Sequence, residues 1–191
     1  SLSLSYRLLP DDALFFRTMV KSTFRLPTFN DLYYLQIGNT SLRPENAVEY
    51  GAGLTWNSRK IGAVKYVTAT VDAYINNVTD KIVAFPSTYI WKMVNFGKVK
   101  AKGLDLTLGT QIDLSKGFSL TASGAMTLQE AKDKTENSPT YNSQLPYTPK
   151  VSGSLSAIFY TPWINIGYSS TAQGKRYSMA QNTNEYLMKS Y

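Results

Sequence analysis

The chain has 191 residues, with hydrophobic residues at 43%, charged residues at only 17% and aromatics at 13%, 14 of them Tyr. Lys and Arg total 20 against 13 Asp and Glu, a formal charge of +7, and there is neither Cys nor His. This excludes a disulfide framework and a thiolate metal site, and it removes the commonest general base and the commonest metal ligand.

In chain order the dominant signal is period two. Leu2, Leu4, Tyr6 and Leu8 form one face of a first strand, followed by a tight turn at Leu9-Pro10-Asp11-Asp12. Leu14, Phe16, Thr18, Val20 and Phe24 form a second stripe, with Arg17, Lys21 and Thr23 on the opposite face. A long polar and aromatic loop is expected over residues 25–45. Val48, Tyr50, Ala52, Leu54 and Trp56 then alternate with Glu49, Gly51, Gly53 and Thr55, and a turn follows over 57–62. Val67, Ala69, Val71, Ala73 and Ile75 mark a fourth strand, with a loop around 85–89.

A long strand is expected from Trp91 to Asp113, and a turn at Leu114–Gly117. Phe118, Leu120, Ala122, Gly124, Met126 and Leu128 alternate with Ser119, Thr121, Ser123, Ala125, Thr127 and Gln129. A polar loop over 130–145 leads to Val151, Gly153, Leu155, Ala157 and Phe159. A turn at Tyr160–Pro162 leads to an eighth strand, from Ile164 to about Arg176, and a further strand can begin at Tyr186.

About eight strands emerge, with no helical period of comparable strength. The connections near residues 10, 59, 115 and 161 are short, and those near 35, 87, 138 and 181 are long. Such alternation is what an up-and-down barrel needs when its two ends face different compartments. No stretch approaches the ~18 apolar residues of a transmembrane helix, a test that leaves spanning strands open. One face of the fifth strand reads Lys98, Lys100, Lys102 and then Leu104, Leu106, Leu108. A hydrocarbon boundary near residue 103 produces that step. On this reading Leu104, Leu106, Leu108, Leu120, Ala122, Leu155 and Ala157 face lipid, and the lysines lie near lipopolysaccharide phosphates.

The stretch FRLPTFNDLYYLQIGNTSLRPE, Phe24 to Glu45, resembles the F-R-x-P-[TS]-F…L-Y…G-N…L-x-P-E signature of TonB-dependent receptor barrels. Asn95–Leu108 resembles the family's N…G-x-E strand, with Gly103 and with Asp105 where Glu is commoner. Leu145–Lys150 resembles its P-x-x-P-[KR] strand start, and Gly174–Tyr177 the polar end of a late strand. The resemblance implies an all-β, antiparallel up-and-down meander of about eight strands, a segment of a 22-stranded transmembrane barrel. It implies residues 1–191 as a partial barrel domain, with the plug domain, TonB box and last strands outside it. It further implies an outer-membrane receptor for a scarce ligand, cobalamin or an iron-siderophore rather than a glycan, powered by TonB through the plug.

Ligand contacts are expected in the first long loop, from Arg25, Asn30, Asp31, Tyr33, Tyr34 and Gln36. Asp72, Asp80 and Asp105 are scattered and lack the clustered spacing of a calcium cage. No cofactor, catalytic motif or nucleic-acid patch is read, so the chain is expected not to be an enzyme. Two other architectures fit the strand pattern: a complete small eight-stranded membrane barrel with an adhesive or structural role, and a soluble β-sandwich binding module. An isolated segment, with bare edges and a bare lipid face, is expected to self-associate.

Overall fold

The computed structural model describes residues 1–9, 13–58, 60–86 and 90–191. The expected turn at 10–12, position 59 and the loop at 87–89 lie outside the described residues. Period-two patterning rich in β-branched and aromatic residues yields eight long strands. They are β1 (Leu2–Arg7), β2 (Leu14–Arg25), β3 (Glu45–Asn57), β4 (Val64–Pro86), β5 (Trp91–Ser115), β6 (Phe118–Asp133), β7 (Val151–Tyr160) and β8 (Asn165–Gln173). The described residues also hold a short helix α1 (Phe29–Tyr33), a 3-10 turn and the two-residue pair β9 (Arg176–Tyr177) and β10 (Leu187–Met188).

The eight strands form one antiparallel sheet in sequence order, β1 to β8, with β1 and β8 as its edges. This overall order is the expected meander. It is neither a small closed barrel nor a sandwich of two packed sheets, so both alternative architectures give way to an open wall.

The β4–β5 hairpin and the end of β6 differ from the sequence reading. β4 and β5 run to 23 and 25 residues and pair up to Pro86–Trp91, so the hairpin expected as strand–loop–strand is strand almost to its tip. β6 extends through Asp133, where polar loop was expected, because Glu130, Lys132 and Asp133 continue the ladder opposite Lys102, Lys100 and Val99. Polar composition does not end a strand when the neighbouring strand still offers hydrogen bonds.

The register sorts the side chains into two faces. Leu14, Trp56, Ala69, Leu108, Gly124 and Leu155 lie in one row across six strands. Phe16, Leu54, Val71, Leu106 and Met126 lie in the next, and Thr18, Ala52, Ala73, Leu104 and Leu128 in the one after. Ala122 pairs with Ala157 and Leu120 with Phe159 on that same face. The opposite face carries Thr55, Thr70, Thr107, Ala125 and Ser154 in one row, and Gly53, Asp72, Asp105, Thr127 and Ser152 in another.

Among the described residues nothing covers the apolar face. Leu108 and Leu155 are more than half exposed, as are Leu4, Ile166 and Tyr168. The hydrophobic cluster sits elsewhere, at the long-loop end on the polar side, where Val78, Val99, Ala131 and Leu145 are buried together. Among the described residues no helix is long and apolar enough to cross a membrane.

Candidate functional site: the long-loop end of the sheet

The connection from β2 to β3 is built around α1. Thr28 caps the helix: its hydroxyl accepts from the Asp31 N–H at 3.2 Å, and the Asp31 carboxylate accepts from the Thr28 N–H at 2.9 Å. This reciprocal cap is legible in the sequence as Thr28-x-x-Asp31, a signal that a loop assignment for residues 25–45 overlooks. Arg25 donates to the same carboxylate at 2.7 Å and also lies 3.8 Å from Glu45. Burial pushes the Asp31 carboxyl up, but the hydrogen bonds from Thr28 and the Arg25 guanidinium outweigh it and hold it below the usual carboxylate range.

The remainder of this connection lies across the extended β4–β5 hairpin. The Met93 N–H donates to the Ile37 carbonyl at 2.8 Å, and the Asn39 amide donates to the Met93 carbonyl at 3.1 Å. Asn95 accepts from the Arg43 N–H at 2.8 Å and donates to the carbonyls of Arg43 and Asp80. Arg43 pairs with Asp80, and the Ile82 N–H donates to Glu45 at 3.0 Å. Several motif residues therefore act as fasteners between loop and hairpin: Asn39 and Glu45 directly, and Asn95 from the partner strand.

The six expected contact residues thus divide by exposure and pairing. Asp31 is buried and saturated by Thr28 and Arg25. Tyr33 and Tyr34 are both 58% exposed, and Asn30 and Gln36 are exposed beside them. The Phe29 ring lies tilted at 5.0 Å from that of Tyr33 and is itself 76% exposed, so α1 adds to the two tyrosines a ring that the expected contact set left out.

A second loop, 134–150, folds over the polar face of β4, β5 and β6. Its hub is Asp133, only 1% exposed. Asp133 accepts from the Thr135 N–H and from the hydroxyls of Ser138 and Thr140, each at 2.8 Å. Burial again pushes this carboxyl up, and the donors from Thr135, Ser138 and Thr140 again win and lower it. Leu145 closes over Ala131, whose carbonyl accepts its N–H at 2.8 Å. Asn182 ties the C-terminal stretch to this loop, accepting from the Gln144 N–H at 2.6 Å and donating to its carbonyl at 3.0 Å.

Deeper along the polar face, Arg17 bridges both oxygens of Asp72 at 2.9 and 3.0 Å. The Thr127 hydroxyl donates to Asp105 at 2.7 Å. Gly103 lies opposite Tyr74, and a Cβ there would stand 2.5 Å from the ring. The glycine of the Gly103-x-Asp105 pattern is thus the space into which Tyr74 lies. Among the described residues no group of three or more acidic side chains could hold a metal ion.

The apolar face has a definite height. On β5 it runs from Leu104 to Ile112, interrupted by Thr110. Roughly nine residues at ~3.3 Å each and a tilt of ~40° span about 23 Å, close to the ~25 Å band of a membrane barrel. Beyond it, towards the long loops, the same face carries Lys102 opposite Glu130, Lys100 opposite Lys132, and Lys98. At the short-turn end Phe118 lies 6.1 Å from both Phe159 and Trp163, a girdle of rings at the other border.

Comparison with known proteins agrees with this geometry. Residues 1–191 match the family described as TonB dependent receptor-like, beta-barrel. A curated relative, the vitamin B12 transporter BtuB of Vibrio vulnificus, is 28% identical over 99 residues, which is 51% of this chain and 15% of that protein. The copper transporter OprC superposes with a TM-score of 0.67 at 14% identity, over 99% of this chain and 28% of its own. The ferric yersiniabactin uptake receptor FyuA of Yersinia pestis gives 0.64 at 16% identity, over 99% and 27%. The FrpB iron transporter of Neisseria meningitidis gives 0.57 at 15% identity, over 99% and 30%. At these identities the three structures speak for the fold. The chain spans less than a third of each of these relatives.

Proposed function

This chain belongs to the TonB dependent receptor-like β-barrel family, and on that premise we propose that it forms part of the wall and outer mouth of an outer-membrane receptor that imports a scarce ligand, cobalamin or an iron-siderophore. The observation that carries this reading is the single-layer wall: one face apolar over a membrane's height, the other polar, with the loop around α1 and the 134–150 loop on the cationic side of the band. The family is one of receptors and transporters, which supports reading the chain as part of a transporter. The relative named as a vitamin B12 transporter supports the cobalamin branch.

In this reading Leu104, Leu106, Leu108, Leu120, Ala122, Leu155 and Ala157 face lipid, and the Thr- and Ser-rich face lines the lumen. The whole receptor draws its energy from TonB. Ligand meets the outer mouth at α1. Tyr33, Tyr34, Asn30 and Gln36 are the contact residues, with Phe29 beside them, while Arg25 and Asp31 hold the helix in shape. Exposed rings on a short, clamped element bind a bulky ligand at little cost in lost side-chain freedom.

The test is uptake. A strain lacking the full receptor gene is supplied with labelled cyanocobalamin or ferric siderophore, with and without the gene restored. Restoration should return uptake of one of them, and the paired substitution Tyr33→Ala/Tyr34→Ala should lower apparent affinity by roughly tenfold or more, as loss of aromatic hot-spot contacts does. Uptake of both ligands that ignores the gene would sink the assignment.

A further inference from the structure

The two longest strands outrun their neighbours. The last pair joining β3 to β4 is Asn46 with Thr79, and the last joining β5 to β6 is Val99 with Asp133. Past these, residues 81–86 of β4 and 91–96 of β5 pair with each other and with no third strand of the sheet. They form an arm roughly 20 Å long at ~3.3 Å per residue. A two-stranded hairpin is marginal in water, so its contacts decide where it points. At its base β4 is bent. Asp80, between the pairs Thr79–Lys98 and Lys81–Phe96, has a φ of +54°. A left-handed residue other than glycine is uncommon, and inside a strand it turns the chain. Gly97 leaves the room for that turn, since a Cβ there would stand 2.3 Å from the Thr135 hydroxyl oxygen.

The arm is held differently on its two sides. Towards α1 it is bound by hydrogen bonds: the Met93 N–H and carbonyl to Ile37 and Asn39, Asn95 to the backbone of Arg43, and the Ile82 N–H to Glu45. Parting these would strand backbone donors and acceptors. Towards the 134–150 loop the hydrogen bonds lie below the bend, where Lys98 meets Lys134 and Thr135. Above the bend the rings of Trp91 and Tyr147 meet at 5.7 Å with a 34° tilt. They are 40% and 46% exposed, so parting them strands no polar group. Tyr147 is itself held at a φ of +56°, with its N–H donating to the Tyr177 carbonyl at 2.8 Å. Such a conformation persists where the surroundings impose it, and it is common at clamps and switches. Trp91, Met93 and Asn95 stand on the side of β5 that lower down carries Val99, Gly103 and Asp105, so the ring pair lies on the polar face's side.

We propose that residues 81–86 and 91–96 form a hinged arm that closes over the outer end of the polar face, with its hinge at Asp80 and Gly97 and its latch in the Trp91–Tyr147 ring pair. Closed, the arm joins the α1 connection to the 134–150 loop. When the rings part, it swings about Asp80 and carries residues 37–43 with it, a hinge motion absorbed by very few backbone angles. That this motion admits ligand rests on the import reading; the hinge and the latch do not.

The experiment uses the full receptor in detergent micelles, with no cysteine other than those introduced. Nitroxides at Lys92→Cys on the arm and Lys150→Cys at the start of β7 report their separation by double electron–electron resonance. Trp91→Ala and Tyr147→Ala each remove the latch, so either carries the test should the other not fold, folding being checked by heat-dependent gel mobility. Both should add a second, longer distance and raise its population roughly three- to tenfold, the weight of one ring pair. Tyr147→Phe keeps the ring and should match the native receptor. Asp80→Val, a β-branched residue that resists positive φ, should shift the main distance with both rings in place, and Asp80→Asn, which tolerates it, should not.

Unchanged distances in Trp91→Ala and Tyr147→Ala overturn the latch, and unchanged distances in Asp80→Val overturn the hinge. A broad distribution without a second peak would show an arm that unfolds instead of swinging, and overturns both. The gate is tested by tying arm to loop. W91C/Y147C joined by a short bis-methanethiosulfonate should take up labelled cyanocobalamin or ferric siderophore at least tenfold more slowly, and reductant should restore the rate. Uptake at the native rate while joined overturns the gate. The distances need no ligand, so failure of the import reading and failure of the arm are told apart.

Discussion

At the residue scale, the most consequential group is Asp31, which the sequence presents as one polar loop residue among several. Its carboxylate holds the Thr28 N–H and the Arg25 guanidinium together. Because its carboxyl titrates below the ordinary range in the folded state, it binds its proton less tightly than in the unfolded chain. The stabilisation is therefore present above the ordinary carboxylate value of about 4 and drains away as pH falls through the folded one. The chain has no cysteine, so a nitroxide attached through Gln36→Cys reports on this loop alone. Its spectrum should be immobilised at pH 7 and become mobile as pH falls below the ordinary carboxylate range, and Asp31→Asn should make it mobile already at pH 7, at a cost of about 1 kcal/mol for the weakened cap. An unchanged spectrum in Asp31→Asn would remove the clamp from the account. Gly38 offers a second test, since a Cβ there would stand 2.7 Å from the backbone at Leu32 and Tyr34. Gly38→Ala should therefore shift the loop and mobilise the same probe, at a cost of roughly 1–3 kcal/mol for overpacking.

At the scale of single elements, β5 makes the two faces comparable within one strand. Leu106 and Thr107 are adjacent and point to opposite sides, Leu106 in the row of Leu54 and Met126, Thr107 in the row of Thr55 and Ala125. If the first face meets hydrocarbon, Leu106→Arg should destabilise the full receptor by about 2–4 kcal/mol in bilayers, and Thr107→Arg by much less. Reversible urea unfolding in lipid measures both, and equal losses would refute the assignment of faces. The loop over β6 depends on Asp133 in a similar way. Its three donors converge on a carboxylate that is nearly inaccessible. Asp133→Ala should cost about 1–3 kcal/mol locally. Protease cleavage within residues 134–150 should rise while the strand region stays protected.

At the scale of the whole molecule, the eight long strands make one layer, and among the described residues no second sheet packs against its apolar face. A sheet with one bare apolar face is not a stable end point in water, because that face must be buried against something. Among the described residues β1 and β8 are the edges of the sheet, and apart from Gln173, which exchanges backbone hydrogen bonds with Tyr191, each leaves a row of N–H and C=O groups open to a further strand. The 191-residue segment expressed alone should therefore self-associate in detergent-free buffer. Light scattering at micromolar concentration should show large species, and a dispersed monomer would contradict the open-wall description.

The alternation of residue types is enough to read the strands, their antiparallel order and the apolar stripe, since side chains on a strand repeat every two residues whatever surrounds them. The step from Lys102 to Leu104 is likewise a property of the chain, because both residues stand on one side of one strand. The loops were less legible. The Thr28–Asp31 cap is local and was there to be read, whereas the role of Asp31 as the shared acceptor of Arg25 and Thr28 depends on where the β2 end points. The union of Ile37 and Asn39 with Met93, and the opposition of Lys100 and Lys132, arise from register between segments dozens of residues apart. Local pattern determined that this chain is a two-faced sheet. Only the pairing of distant strands decided which charges meet and which loops lock together.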